Sequence, residues 1–189
     1  STLWHGYLHD ITSKRRTEEQ TRLAARVFDM TAEGIVVTDT QNRILTINNA
    51  FATLTGYTRE EAVGKTTRLL KSGRHGQEFY AAMWHELLTR GKWEGEIWNR
   101  RKNGEIYLEW LSINAVKDAS NQIVNYVGVF RDITVAKGSL ERMDYLATHD
   151  ELTGLPNRTL LNDRLRLAVN RAERAGKRLA LLFVDIDNF

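Results

Sequence analysis

The sequence predicts an α+β domain, an antiparallel five-stranded sheet with short helices on one side and linker helices at both ends, followed by the start of an α/β segment. Three observations carry this expectation. Short runs rich in β-branched and alternating apolar residues recur at 34–39, 43–47, 93–101, 105–116 and 123–130, separated by turn residues. One longer amphipathic stretch, Gln77 to Arg90, lies between the second and third runs. Finally, Trp4-His5-Gly6-Tyr7-Leu8-His9-Asp10-Ile11-Thr12 is echoed without a gap by Tyr126-Val127-Gly128-Val129-Phe130-Arg131-Asp132-Ile133-Thr134, one domain length later. Each copy reads as a last strand running into a charged, helix-compatible segment.

The elements follow in order. Residues 14–30 are charged, with Leu23, Val27 and Met30 on one helical stripe. Gly34 to Asp39 and Arg43 to Ile47 are strands joined by a turn at Gln41-Asn42. Asn48-Asn49 can cap a short helix from Ala50 to Thr55, which Gly56 ends. Thr58-Arg59-Glu60-Glu61 has the spacing of a capping box, and its helix ends near Gly64. In the helix from Gln77 to Arg90, Phe79, Met83 and Leu87 share one face with Tyr80, Trp84 and Leu88 beside it, and Gly91 stops it. Asn103-Gly104 is a strong hairpin signal between the next two strands, and Asn121-Gln122 turns into the last.

Composition narrows the function classes. Hydrophobic residues make up 42% and charged residues 27%, as in an ordinary globular protein. The absence of cysteine excludes disulfides, thiolate metal sites and cysteine nucleophiles. The longest uncharged apolar run, Leu179 to Val184, is far shorter than the roughly twenty residues a membrane helix needs. No membrane contact is expected within this segment, and the expected location is cytoplasmic, with any membrane anchor upstream. The net charge of +3 is scattered, and the local run Arg100-Arg101-Lys102 reads as a solvated hairpin tip rather than a nucleic-acid patch.

Residues 31–134 resemble a PAS domain, on the strength of Asn48-Asn49-Ala50-Phe51, Leu54-Thr55-Gly56-Tyr57, Glu61-Ala62-Val63-Gly64, the run Trp93 to Gly104 and the closing Tyr126 to Thr134. Residues 1–12 are similar to the end of a preceding PAS domain, and 13–30 read as a linker helix. The resemblance implies that Asp132, Ile133 and Thr134 couple the sheet to the helix that follows. It also raises FAD as a cofactor second only to none at all, because Trp93, Trp98 and Asn99 resemble residues of flavin-binding members. Heme ranks below both, since His75 or His85 would have to supply its axial ligand.

The run Thr148-His149-Asp150-Glu151-Leu152-Thr153-Gly154-Leu155-Pro156-Asn157-Arg158, with Leu182 to Phe189 after it, resembles the opening of the GGDEF diguanylate cyclase family and covers 149–189. Leu179 to Ile186 reads as a buried first strand, and Thr159 to Arg174 as a helix. The resemblance implies that the Asp185 carboxylate and the Ile186 carbonyl bind Mg²⁺, with GTP as substrate and cyclic di-GMP as product. No Gly-Gly-Asp/Glu-Glu-Phe sequence occurs among these residues, so no catalytic residue is expected within them.

Residues 135–148 then form a signalling linker, in which Leu140, Met143 and Ala147 fall at a narrow spacing suited to a parallel homodimer. Two rival outputs stand beside a cyclase. One is a degenerate cyclase acting as a regulatory scaffold for a downstream EAL phosphodiesterase. The other is a histidine kinase using His149, which the following Asp-Glu-Leu-Thr-Gly-Leu-Pro disfavours.

Overall fold

The computed structural model describes residues 12–182 and 184, without the side chains of 12–14, 140 and 141. Residues 1–11, the echo of the final strand, lie outside the described residues, as do Asp185 and Ile186. The chain divides into two compact units at Thr134 and Val135.

In the first unit, α1 (Thr12–Met30) precedes β1 (Gly34–Asp39) and β2 (Ile44–Ile47). Two short helices, α2 (Asn49–Thr55) and α3 (Arg59–Ala62), a 3-10 turn over Thr67–Leu70 and the long α4 (Gln77–Arg90) then lead to β3 (Lys92–Arg100), β4 (Ile106–Lys117) and β5 (Ile123–Asp132). The sheet is antiparallel with strand order β2-β1-β5-β4-β3. Pairing of the first strand with the last brings Gly34 opposite Phe130. The Phe130 ring lies over Gly34, where a Cβ would collide with it, so the glycine makes room for a core aromatic.

Local chemistry sets the helix ends. The Asn48 side chain accepts the Phe51 N–H to cap α2, and Gly56 closes that helix at φ 79°. Thr58 and Glu61 form a complete capping box on α3. Asn48 does more than cap. Its Oδ1 also accepts the Ile35 N–H at 2.8 Å, and its Nδ2 donates to the carbonyls of Phe28 and Glu33, tying α1 and β1 to α2. The stripe on α1 is largely exposed, with Leu23, Val27 and Met30 facing solvent.

One part of the core gathers Val36, Ile44, Ile47, Phe51, Leu70 and Phe130 beneath the short helices. A second gathers Met83, Leu87, Trp93, Ile97 and Tyr126 beneath α4, and Leu111 packs against both. All of these side chains lie on one face of the sheet.

In the second unit, α5 (Thr134–Thr148) reaches back to Thr134, the last residue of the first unit. Asn157 caps α6 (Arg158–Ala175) by accepting the N–H groups of Thr159 and Leu160. The strand expected at 179–186 is not formed by its described residues, and Leu179, Leu181, Leu182 and Val184 are exposed. A buried parallel strand exists only against neighbouring strands, and no described residue pairs with this segment.

Candidate ligand cavity and exit-helix junction

The core face of the sheet, α4 and the 66–71 segment border a half-open cavity of about 1070 Å³. Its apolar walls come from Ile97, Leu111, Ile113 and Phe130 of the sheet and Met83 of α4. Its polar lining includes Asn99 on β3, Glu109 on β4, Gln41 and Asn42 from the β1–β2 turn, and the exposed cations Arg68 and Lys71.

Strand parity decides which predicted residues reach this space. Alternate residues of a strand face opposite sides, so Trp93, Ile97 and Asn99 point to the core while Trp98 points away. Asn99 lines the cavity. Trp93 is buried under α4, beside the cavity walls, with its ring lying over Gly95. Trp98 sits on the far face, where the Arg74 guanidinium stacks over its indole at 4.2 Å. The structure therefore does not bring Trp93, Trp98 and Asn99 together around one space.

The two candidate heme ligands are placed elsewhere too. His75 Nε2 accepts the backbone N–H of Trp98 at 2.9 Å, its ring stacks on Phe79, and burial lowers its pKa. His85 is exposed on α4.

At one end of the core face, the same parity assembles a charged cluster. Glu109 and Asp132 are direct cross-strand partners, so two carboxylates share one face. Arg101 is not part of a solvated tip. Like Asn99 it turns inward, and only Arg100 and Lys102 of that run are exposed. Its guanidinium pairs with Asp132, donates to the Leu54 carbonyl, approaches Glu105 at 3.3 Å and lies over the Tyr107 ring at 4.2 Å.

Asp132 in turn accepts the Thr134 N–H at 2.8 Å, and Thr134 Oγ1 accepts the Leu108 N–H at 2.9 Å. The Ile133 N–H continues the β4–β5 pairing to the Leu108 carbonyl. One orphan donor at the helix start, the Thr134 N–H, is thus met by the side chain of Asp132, the last residue of β5. Burial works against ionisation of Asp132, but its bonds from Thr134 and Arg101 outweigh that and hold its pKa below the usual range.

Glu109 fares differently. Its residue is 1% exposed; the Asn99 amide donates to Oε1 at 2.8 Å, and the Tyr107 phenol lies close enough to favour the carboxylate. Among the described residues Oε2 has no hydrogen-bond partner, and neither do the hydroxyls of Tyr107 and Tyr80. Burial, assisted by the Asp132 charge, raises the Glu109 pKa to about 7, against the opposing influence of Tyr107 and Asn99. Burial likewise pushes the Tyr107 phenol upward. Glu109, Tyr107 and Arg101 were missed as site residues in the sequence. The available signal was parity: an acid at a core position of the alternation Tyr107, Glu109, Leu111, Ile113.

A family model described as a PAS domain matches residues 32–135, over half of the chain. The chain belongs to the PAS domain family. Next to the PAS domain, residues 147–189 match the model of the diguanylate cyclase GGDEF domain. That match includes His149, whose ring stacks on Tyr145 at 4.1 Å in α5. A nitrogen fixation regulatory protein of Klebsiella oxytoca is 31% identical over 64% of this chain and 24% of its own length. The probable diguanylate cyclase DgcE of Escherichia coli is 28% identical over 86% of this chain and 15% of its own length. The chain thus spans a quarter or less of these relatives. A crystal structure of a PAS domain from Colwellia psychrerythraea is 30% identical with a TM-score of 0.58, over 61% of this chain and 98% of that one. Among the described residues, no helix is long and apolar enough to cross a membrane.

Proposed function

We propose that the PAS domain is a sensor that controls cyclic di-GMP synthesis by an attached GGDEF domain, with α5 as the transmitting element. The reading assigns 31–134 to sensing, 135–148 to transmission and 149–189 to the start of the cyclase. Its main support is the junction Arg101–Asp132–Thr134. An inward guanidinium grips the carboxylate that fixes the first residue of α5, and the same guanidinium covers Tyr107, two positions from the cavity residue Glu109 on β4. A change in the cavity reaches the start of α5 through packed, hydrogen-bonded neighbours.

In this reading GTP is the substrate, and Asp185 and Ile186 would supply hard oxygen ligands for Mg²⁺. A flavin would meet Asn99 in the cavity, with neither Trp93 nor Trp98 among the lining residues, and the visible spectrum of the purified protein tests for one. α5 would pair with its copy in a homodimer.

The test uses a chain that carries a whole GGDEF domain. Asp132→Ala frees the Thr134 N–H and unpairs Arg101, and it is expected to change the rate of cyclic di-GMP formation about fivefold or more, equivalent to roughly 1 kcal/mol of lost coupling. Thermal melting checks that the variant is folded. An unchanged rate in a folded variant contradicts the proposal.

A further inference from the structure

The 66–71 segment carries two cations to the mouth of the cavity. It is pinned at both ends, with Thr66 bridged to Arg43 beside β2 and Lys71 bridged to Asn99 of β3. Between them Leu70 is buried in the core, and the Asn42 amide donates to Thr67 Oγ1 at 2.7 Å. The 3-10 turn ends at Lys71, whose N–H reaches the Arg68 carbonyl. Positions i and i+3 of such a turn eclipse one another, so Arg68 and Lys71 share one side of the segment. Both line the cavity, and the Lys71 ammonium lies 4.7 Å from the Tyr80 ring centroid on the α4 wall. Among the described residues, neither cation is paired with a carboxylate. The one acid in the lining, Glu109, is 1% exposed, so no carboxylate stands open beside them.

We propose that the cavity takes an organic anion, a carboxylate or phosphate on an apolar body, with its headgroup on Arg68 and Lys71 at the mouth. Met83, Ile97, Leu111, Ile113 and Phe130 supply apolar walls for the body. The guanidinium offers a planar fork of donors and the ammonium a compact charge, and both suit an oxyanion. Thr67 lines the same stretch, and its hydroxyl, which accepts from Asn42, keeps its own proton to donate. A cation of the same shape meets two like charges at the mouth. A neutral amide forgoes the charge-assisted hydrogen bonds, which are about twice as strong as neutral ones.

Such an anion is the signal for the sensory role proposed above, an assignment that rests on that reading. It is read by binding alone, so its failure would leave the α5 junction standing, and an inert junction would leave the binding unchanged. The test is calorimetric titration of this chain with octanoate and octyl phosphate, and with octanamide and octylammonium as neutral and cationic counterparts. At least one anion is expected to bind about fivefold or more tightly than octanamide, since exposed ion pairs each contribute modestly, and octylammonium should bind more weakly than the amide. The tighter of the two anions identifies the headgroup. Raising the salt to about 0.5 M should narrow the margin over the amide by screening. Arg68→Gln combined with Lys71→Gln should abolish it, and both side chains are exposed, so the core is left intact. The amide and salt comparisons need no variant, so the test survives a poorly folded double variant. Octanamide binding as tightly as both anions, an undiminished margin in the folded double variant, or no binding of either anion overturns the proposal.

Discussion

Glu109→Gln raises the unfolding free energy at pH 8 by roughly 3 kcal/mol and flattens its dependence on pH between about 5 and 7. The Glu109 pKa is about 7 in the folded protein and 4.5 as an ordinary carboxyl. Between these values the folded state keeps a proton that the unfolded chain has released. The unfolded state binds fewer protons there, so stability falls as pH rises, by about 1.4 kcal/mol per unit. This contribution is fully present below pH 4.5 and is lost by about pH 7, after which it stays level. Glutamine has nearly the same shape, keeps an oxygen for the Asn99 amide and carries no charge to bury. Its amide must find an acceptor, and the adjoining Tyr107 oxygen has no other partner. Urea denaturation at pH 5 and pH 8 measures the difference. Parallel pH profiles for the two proteins contradict this account of Glu109.

Leu140→Asp combined with Met143→Asp is expected to lower cyclase activity about tenfold or more in a chain with a whole GGDEF domain, because carboxylates in an apolar seam cost several kcal/mol. Met143 is exposed on α5, and Ala147 shares that exposure one turn further on. The Leu140 side chain lies outside the described residues. An apolar stripe exposed on one chain suits a partner helix, and in the proposed reading cyclic di-GMP formation would join two GTP molecules held by two subunits. Sedimentation should show a shift from dimer to monomer, in parallel with the loss of rate. A double variant that stays dimeric at full rate removes α5 from the mechanism.

Much of the fold was legible because local chemistry dictated it. Asn48, the Thr58–Glu61 capping box and the Asn103-Gly104 turn act within a few residues of themselves, and the structure uses each at its expected place. What was not legible depends on distant partners. The β1–β5 pairing that places β1 inside the sheet joins residues far apart in sequence. The 179–186 run has strand composition, but its described residues meet no neighbouring strand.

The cavity was legible only in part, for a different reason. Trp93, Trp98 and Asn99 were grouped by resemblance, whereas parity divides Trp98 from the other two. Nothing in the residues beside Glu109 marks it as a site acid; only its inward place in the β4 alternation does. Arg101 looked like part of a basic tip, yet it turns in to meet a carboxylate thirty-one positions away.

In the proposed reading the Arg101–Asp132–Thr134 junction holds the start of α5, so that events in the PAS cavity are felt by the helix. Amide hydrogen exchange over residues 138–141, whose N–H groups bond back into the first turn of α5, tests it most directly in this chain. With Arg101→Ala, exchange there should quicken about tenfold, equivalent to roughly 1.4 kcal/mol of lost local stability, while the amides of β4 and β5 away from the junction keep their protection. Unchanged exchange at the start of α5, in a folded Arg101→Ala protein, would contradict it.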